Sequence, residues 1–141
     1  MADNEPSYGT DDNSYLAAGE LAGITQLVEA FYDNMESFQE AQKIRAMHPA
    51  DSTESRKKLA YFLSGWLGGP KRYHENYGSI SIPGFHRHLD IGEAEHDAWL
   101  LCMKQAIADQ PFEPAFQEYL YAQLCVPAGR VKQAVAARRD A

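Results

Sequence analysis

The feature that most constrains this chain is a helical stripe of apolar residues. Ile24, Leu27, Val28, Phe31, Tyr32 and Met35 fall at i, i+3, i+4, i+7, i+8 and i+11, which is one face of an amphipathic helix. A face of that width has to be buried, and the rest of the sequence supplies more helices to bury it. A shorter stripe, Phe38, Ala41, Ile44 and Met47, stops at His48-Pro49, because a residue before proline is pushed away from helical dihedrals. Asp51-Ser52-Thr53-Glu54 has the spacing of a capping box and opens a third helix. That helix carries Leu59, Phe62, Leu63 and Trp66 and ends at Gly68-Gly69-Pro70.

Residues 71–92 are irregular, with four Gly or Pro residues and three of the five histidines; an irregular stretch of this length in a small domain is often functional. Helical spacing resumes over 93–109 through Ala98, Trp99, Cys102, Met103, Ala106 and Ile107, with acidic residues in the first turn where the helix dipole favours them. Pro111 closes it. The last helix begins near Pro114 and buries Phe116, Leu120 and Leu124, with Tyr119 as a further candidate. Pro127 is expected to bend or interrupt it before Val131–Val135. SISIP is too short to carry a sheet, so the fold class is all-α, with no internal repeat.

With 141 residues the chain is one domain, large enough to bury a core without a disulfide or zinc staple. Residues 1–17 read as a disordered acidic extension, 18–137 as the folded domain and 138–141 as a basic tail. Cys102 and Cys125 sit in apolar stretches with no CxxC pairing and no preceding signal-peptide pattern, so both read as reduced core residues of a cytoplasmic protein. The longest apolar run, Ala98 to Met103, is far short of the roughly 20 residues of a membrane span. A net charge of -7 opposes a phosphate backbone, which argues against nucleic acid as a partner.

No phosphate-binding glycine loop, HExxH, EF-hand or GxSxG motif is present. What remains is a helical chain with eight Tyr, six Phe and two Trp and a histidine cluster, Phe85-His86-Arg87-His88, a composition that suits a flat apolar cofactor held by one imidazole. Taken alone, the same histidines read first as a solvated loop pair, because histidines beside charged residues are usually exposed.

Four segments together resemble the group II truncated haemoglobins, the two-over-two helical globins: LVEAFYDNM (27–35), HPAD (48–51), FLSGWLGGPKRYHENYG (62–78) and EHDAWLLCM (95–103). The resemblance spans nearly all of residues 19–126 and implies a two-over-two sandwich around haem b. The family's proximal histidine lies sixteen residues after the proline of GGP and thirteen before the tryptophan of DAWL; both counts land on His86, with His88 as the alternative one register away. Gly84 and Phe85 stand where the family carries arginines, and His88 where it carries a proline. Lys58, Lys71, Arg72, Arg87 and Tyr73 are then the candidates for holding the haem propionates, and Leu63, Ile91 and Met103 for further haem contact.

On the distal side the resemblance places Tyr32, His48, Ser55, Leu59, Phe62 and Trp99 around the ligand. Each also has a purely structural role to offer: packing for Tyr32 and Trp99, a loop position for His48, a first-turn position for Ser55. Dioxygen at ferrous iron draws partial negative charge, so a donor aimed at it is worth about 1.5–3 kcal/mol, or roughly 10- to 150-fold in release rate. His48, where the family more often has an aromatic residue, is a third donor and a candidate sixth ligand. Slow release favours handling of nitric oxide, peroxide or other reactive species over bulk oxygen transport, with a separate electron donor as partner and a monomer or homodimer as the assembly. A gas or redox sensor working through another protein, and a haem-free helical interaction module, are the readings from other classes.

Overall fold

The computed structural model describes residues 8–47, 51–78 and 93–140, with side chains of the last helix described as far as Gly129. It contains α1 (Asn13–Ala17), α2 (Glu20–Ser37), a 3-10 turn (Gln39–Ala41) leading into α3 (Gln42–Ala46), α4 (Thr53–Trp66), α5 (Arg72–Tyr77), α6 (Glu93–Ala108) and α7 (Pro114–Asp140). Among the described residues there is no strand, and none of their helices is long and apolar enough to cross a membrane.

The α2 stripe is buried as its spacing requires. Ile24, Leu27, Val28, Phe31, Tyr32 and Met35 are all buried, and together they form the surface on which both α4 and α6 pack. Helix α7 then covers α6 with Phe116, Leu120 and Leu124. Two helix pairs result, α2 with α4 and α6 with α7, joined where α2 meets α6. Polar bonds fix the junctions: Asn34 donates from Nδ2 to the Cys102 carbonyl at 3.0 Å, and Lys43 on α3 pairs with Glu95 on α6 at 3.2 Å.

Three local expectations change. At the start of α4 the N-cap falls on Ser52, whose side chain caps nothing, one residue after Asp51, where the capping-box spacing begins; Asp51 itself accepts from the Thr53 N–H at 3.0 Å and the Thr53 hydroxyl at 2.7 Å, which holds its carboxyl below the usual range. Helix α7 runs through Pro127 to Asp140 without interruption, so no backbone change marks the expected boundary at 137. Proline keeps a helical φ, and the carbonyl it deprives of a donor belongs to exposed Gln123, within reach of water. Cys125 is half-buried rather than core, whereas Cys102 is fully buried; both are free thiols.

The largest correction concerns the N-terminus. Residues 8–17 are packed, not a disordered extension; the first seven lie outside the described residues. Tyr8 meets the rings of Phe116 and Tyr119 at 5.1 and 5.2 Å, Ser14 and Tyr15 are buried, and the Tyr15 N–H donates to the Leu67 carbonyl at 3.0 Å. Two tyrosines supply the apolar area that the neighbouring acids lack. This segment lies across the Gly68-Gly69 turn so closely that a Cβ on Gly69 would land in the Tyr15 ring and one on Gly68 against the Asp11 carbonyl. Gly68 also has φ +94°, open only to glycine without strain.

Gly69→Ala is therefore expected to lose about 1–3 kcal/mol through overpacking, a fall of several degrees in thermal midpoint measured by circular dichroism. Gly129→Ala, in open space on α7, is expected to gain about 0.5–1 kcal/mol from helix propensity alone. Equal responses in the two variants would contradict this account of the turn.

Candidate functional site

Helices α4 and α6 each pack on α2 but make no comparable contact with one another, so α2 is the floor that the two share. Tyr32 on that floor is 4% exposed. Phe31 beside it meets the Tyr32 ring edge-on at 5.2 Å and the Trp99 ring of α6 at 5.2 Å, so one phenylalanine joins the floor to the α6 wall. Leu59 and Phe62 on α4, and Trp99 on α6, are partly buried and packed against the core rather than within it. Ser55 is half-buried on the first turn of α4. Met103 and Leu63 are buried core residues of their helices, at 0% and 1% exposure.

On the other side of Phe62 lies a cavity of about 290 Å³ lined by Tyr61, Phe62, Gly65, Trp66, Lys71, Tyr73, His74 and Gly78. Helix α5, within the stretch expected to be irregular, puts Tyr73 there at 6.5 Å from Phe62 in a T-shaped pair. Lys58 lies over the Tyr77 ring at 5.3 Å, and the Tyr77 hydroxyl donates to Glu54 at 2.8 Å, which raises its pKa. Arg72, a candidate for the same edge, is turned into the fold: its Nη1 donates to Ser64 Oγ at 3.3 Å, and Ser64 donates to the Pro70 carbonyl at 2.7 Å. That guanidinium braces the α4–α5 turn and does not line the cavity. His48, His86, Arg87, His88 and Ile91 lie outside the described residues.

Burial pushes the Tyr32 phenol up to about 12, although Arg56 and Arg45 pull it back in part. Its hydroxyl thus stays protonated, and a donor, at any physiological pH. Trp99 offers a second donor: among the described residues no acceptor takes its indole N–H. The Cys102 thiol is pushed up to about 11 by burial, with a smaller push from Glu40. Reading the sequence had not picked out Phe31, which joins the two donors, or Arg56, which packs on Tyr32; the first looks like any core residue, and the second like any charge on an exposed helix face.

Tyr32 and Trp99 are thus joined through Phe31, and Lys71 and Tyr73 line the cavity beside Phe62. The profile of the bacterial-like globins matches residues 13–127. The chain belongs to that family. It is 34% identical over 110 residues to the group 2 truncated hemoglobin YjbI of Bacillus subtilis, covering 78% of this chain and 80% of that one. Among solved structures, the group II 2-on-2 hemoglobin of Agrobacterium tumefaciens superposes with a TM-score of 0.80 at 34% identity, covering 84% of this chain and 92% of the other. The truncated oxygen-avid haemoglobin from Bacillus subtilis superposes at 0.76 with 32% identity, covering 84% and 97%. This globin is therefore a group II truncated haemoglobin with the two-over-two fold, and its family binds haem and, through it, small gaseous ligands.

Burial of Tyr32 has a consequence for stability. Unfolded, the phenol ionises near pH 10; folded, at about 12. A raised folded pKa means that its contribution is complete below pH 10 and is lost as pH rises through 12. Two units correspond to roughly 2–3 kcal/mol. Denaturant midpoints measured from pH 8 to 12 should fall less steeply in Tyr32→Phe than in wild type over that window; parallel curves would mean that Tyr32 is not buried.

Proposed function

We propose that this globin holds haem b on the His86 imidazole and presents Tyr32 and Trp99, with His48, as donors to a small ligand, for handling nitric oxide or reactive oxygen species rather than bulk oxygen transport. The observation that carries this reading is Tyr32, buried on α2 and linked through Phe31 to Trp99 on α6. Haem held there would supply ferrous iron for binding dioxygen, carbon monoxide or nitric oxide.

The chain's own residues do the rest. Tyr32 and Trp99 donate to a ligand that draws partial negative charge, and each such bond is worth about 1.5–3 kcal/mol. Phe31, Leu59 and Phe62 keep water from competing for those donors, which strengthens each bond. Ser55, in the first turn of α4, is small enough to leave a path beside Leu59. Lys58, Lys71 and Tyr73 serve the haem carboxylates, a task in which Arg72 is already committed to Ser64. Strong donors retain ligand, and a retained ligand is available for reaction with a second molecule. The reading therefore calls for a separate electron donor. A cytoplasmic setting accords with free thiols at Cys102 and Cys125.

Ferric, reduced and carbon-monoxide spectra of the purified chain test the haem assignment: a Soret band that moves on reduction and again with carbon monoxide is expected. Sharp split visible bands in the unliganded ferrous protein would add an internal sixth ligand, for which His48 is the candidate. Tyr32→Phe and Trp99→Leu should each speed oxygen release by roughly 10-fold or more. His86→Ala should lose haem while His88→Ala keeps it; the reverse result would move the ligand to His88. A chain that stays colourless after haem is supplied would leave the haem-free interaction module as the reading.

A further inference from the structure

Arg56 sits one turn into α4 on the side facing α2. Its Nη1 meets Glu29 Oε2 at 2.6 Å and Asp33 Oδ1 at 3.2 Å, its Nη2 meets Glu36 Oε1 at 3.5 Å, and its Nε donates to Ser52 Oγ at 2.8 Å. Glu29, Asp33 and Glu36 follow at i, i+4 and i+7 on α2, so one cation spans two turns of that helix. Its side chain is 15% exposed, whereas the three carboxylates are open to solvent. Burial alone would lower its pKa, but the bonds to Glu29 and Asp33 outweigh that and raise it.

An ordinary surface pair leaves a long side chain free among rotamers. Four acceptors on one planar fork remove that freedom. The fixed guanidinium lies over the Tyr32 ring, 5.4 Å from its centroid, while Phe31 meets the same ring edge-on at an interplanar angle of 79°. The Tyr32 ring is thus confined by a cation and an aromatic edge. A phenol hydroxyl lies on the ring axis, so its position follows the side-chain torsions, and those are what the two contacts limit.

Resting on the reading of Tyr32 as the ligand-facing donor, we infer that Arg56 is its positioning residue: clamped to α2 and Ser52, the guanidinium holds the Tyr32 ring in the orientation from which its hydroxyl donates. Lysine cannot substitute, since a single ammonium neither spans three carboxylates nor lies flat on a ring.

The test uses the haem-loaded full chain with carbon monoxide bound, and reads the C–O stretching band, whose frequency falls when a donor meets the ligand and which splits when the donor takes several orientations. Tyr32→Phe should raise the frequency. Arg56→Met should split the band and move part of it toward the Tyr32→Phe position, with oxygen release roughly 2- to 10-fold faster, and Arg56→Lys should restore the wild-type band only in part. Lys57→Met, which removes a cation lying over Tyr61 at 5.5 Å, should leave the band unmoved. If Tyr32→Phe moves the band and Arg56→Met does not, the inference is overturned and the donor role of Tyr32 stands. If Tyr32→Phe does not move it, the donor role fails and the inference fails with it. Should Arg56→Met not fold, Glu29→Gln carries the test, because it weakens the 2.6 Å tether and keeps the guanidinium; a band as sharp as wild type there overturns the inference.

Discussion

The burial of one helix face organises this protein. Helix α2 has to cover six apolar positions at once, and no single partner helix is wide enough to do so. It therefore takes α4 on one side and α6 on the other, and those two lean on α2 rather than on each other. The proposed haem site thus has the stripe as its floor, which is why the proposed ligand donor, Tyr32, is also a core position.

That double role sets the electrostatics. A phenol buried on an apolar floor is costly to ionise, and the same burial that stabilises the helix contact keeps the hydroxyl a donor. Nearby charge is arranged accordingly. Arg56 is neutralised by carboxylates on the outer face of α2, so its positive charge affects Tyr32 mainly at close range, through the ring. The aromatic residues around the proposed site, Phe31, Phe62, Tyr73 and Trp99, supply flat apolar area, and Lys71 supplies charge at the edge of the adjoining cavity.

The glycines and the N-terminal segment show how a local motif acquires a tertiary cause. Gly68-Gly69 reads in the sequence as a helix stop, and it is one. Its second role, giving way to Tyr15 and the Asp11 carbonyl, comes from residues more than fifty positions earlier in the chain. Those residues were read as acidic and disordered because composition weighs the acids and cannot weigh two tyrosines finding rings on α7. Similarly, that the helix starts one residue later than the capping-box spacing implies, with Ser52 at the N-cap, depends on backbone angles that spacing does not carry.

The sequence by itself determined the helices, their approximate ends, the all-α class and, through motifs such as LGGP and DAWL, the family. It could do so because helical periodicity and glycine or proline breaks are local properties, written within a few residues of where they act. Tyr32, Trp99, Leu59 and Phe62 were legible as site candidates only through the spacing of those motifs. Tertiary structure decided which partners each candidate meets. It took Arg72 for the α4–α5 brace, put Tyr73 against Phe62, and brought Arg56 onto Tyr32 across 24 residues of sequence. A side chain's partners depend on how helices pack in space, and that packing is settled by the burial of all of them together.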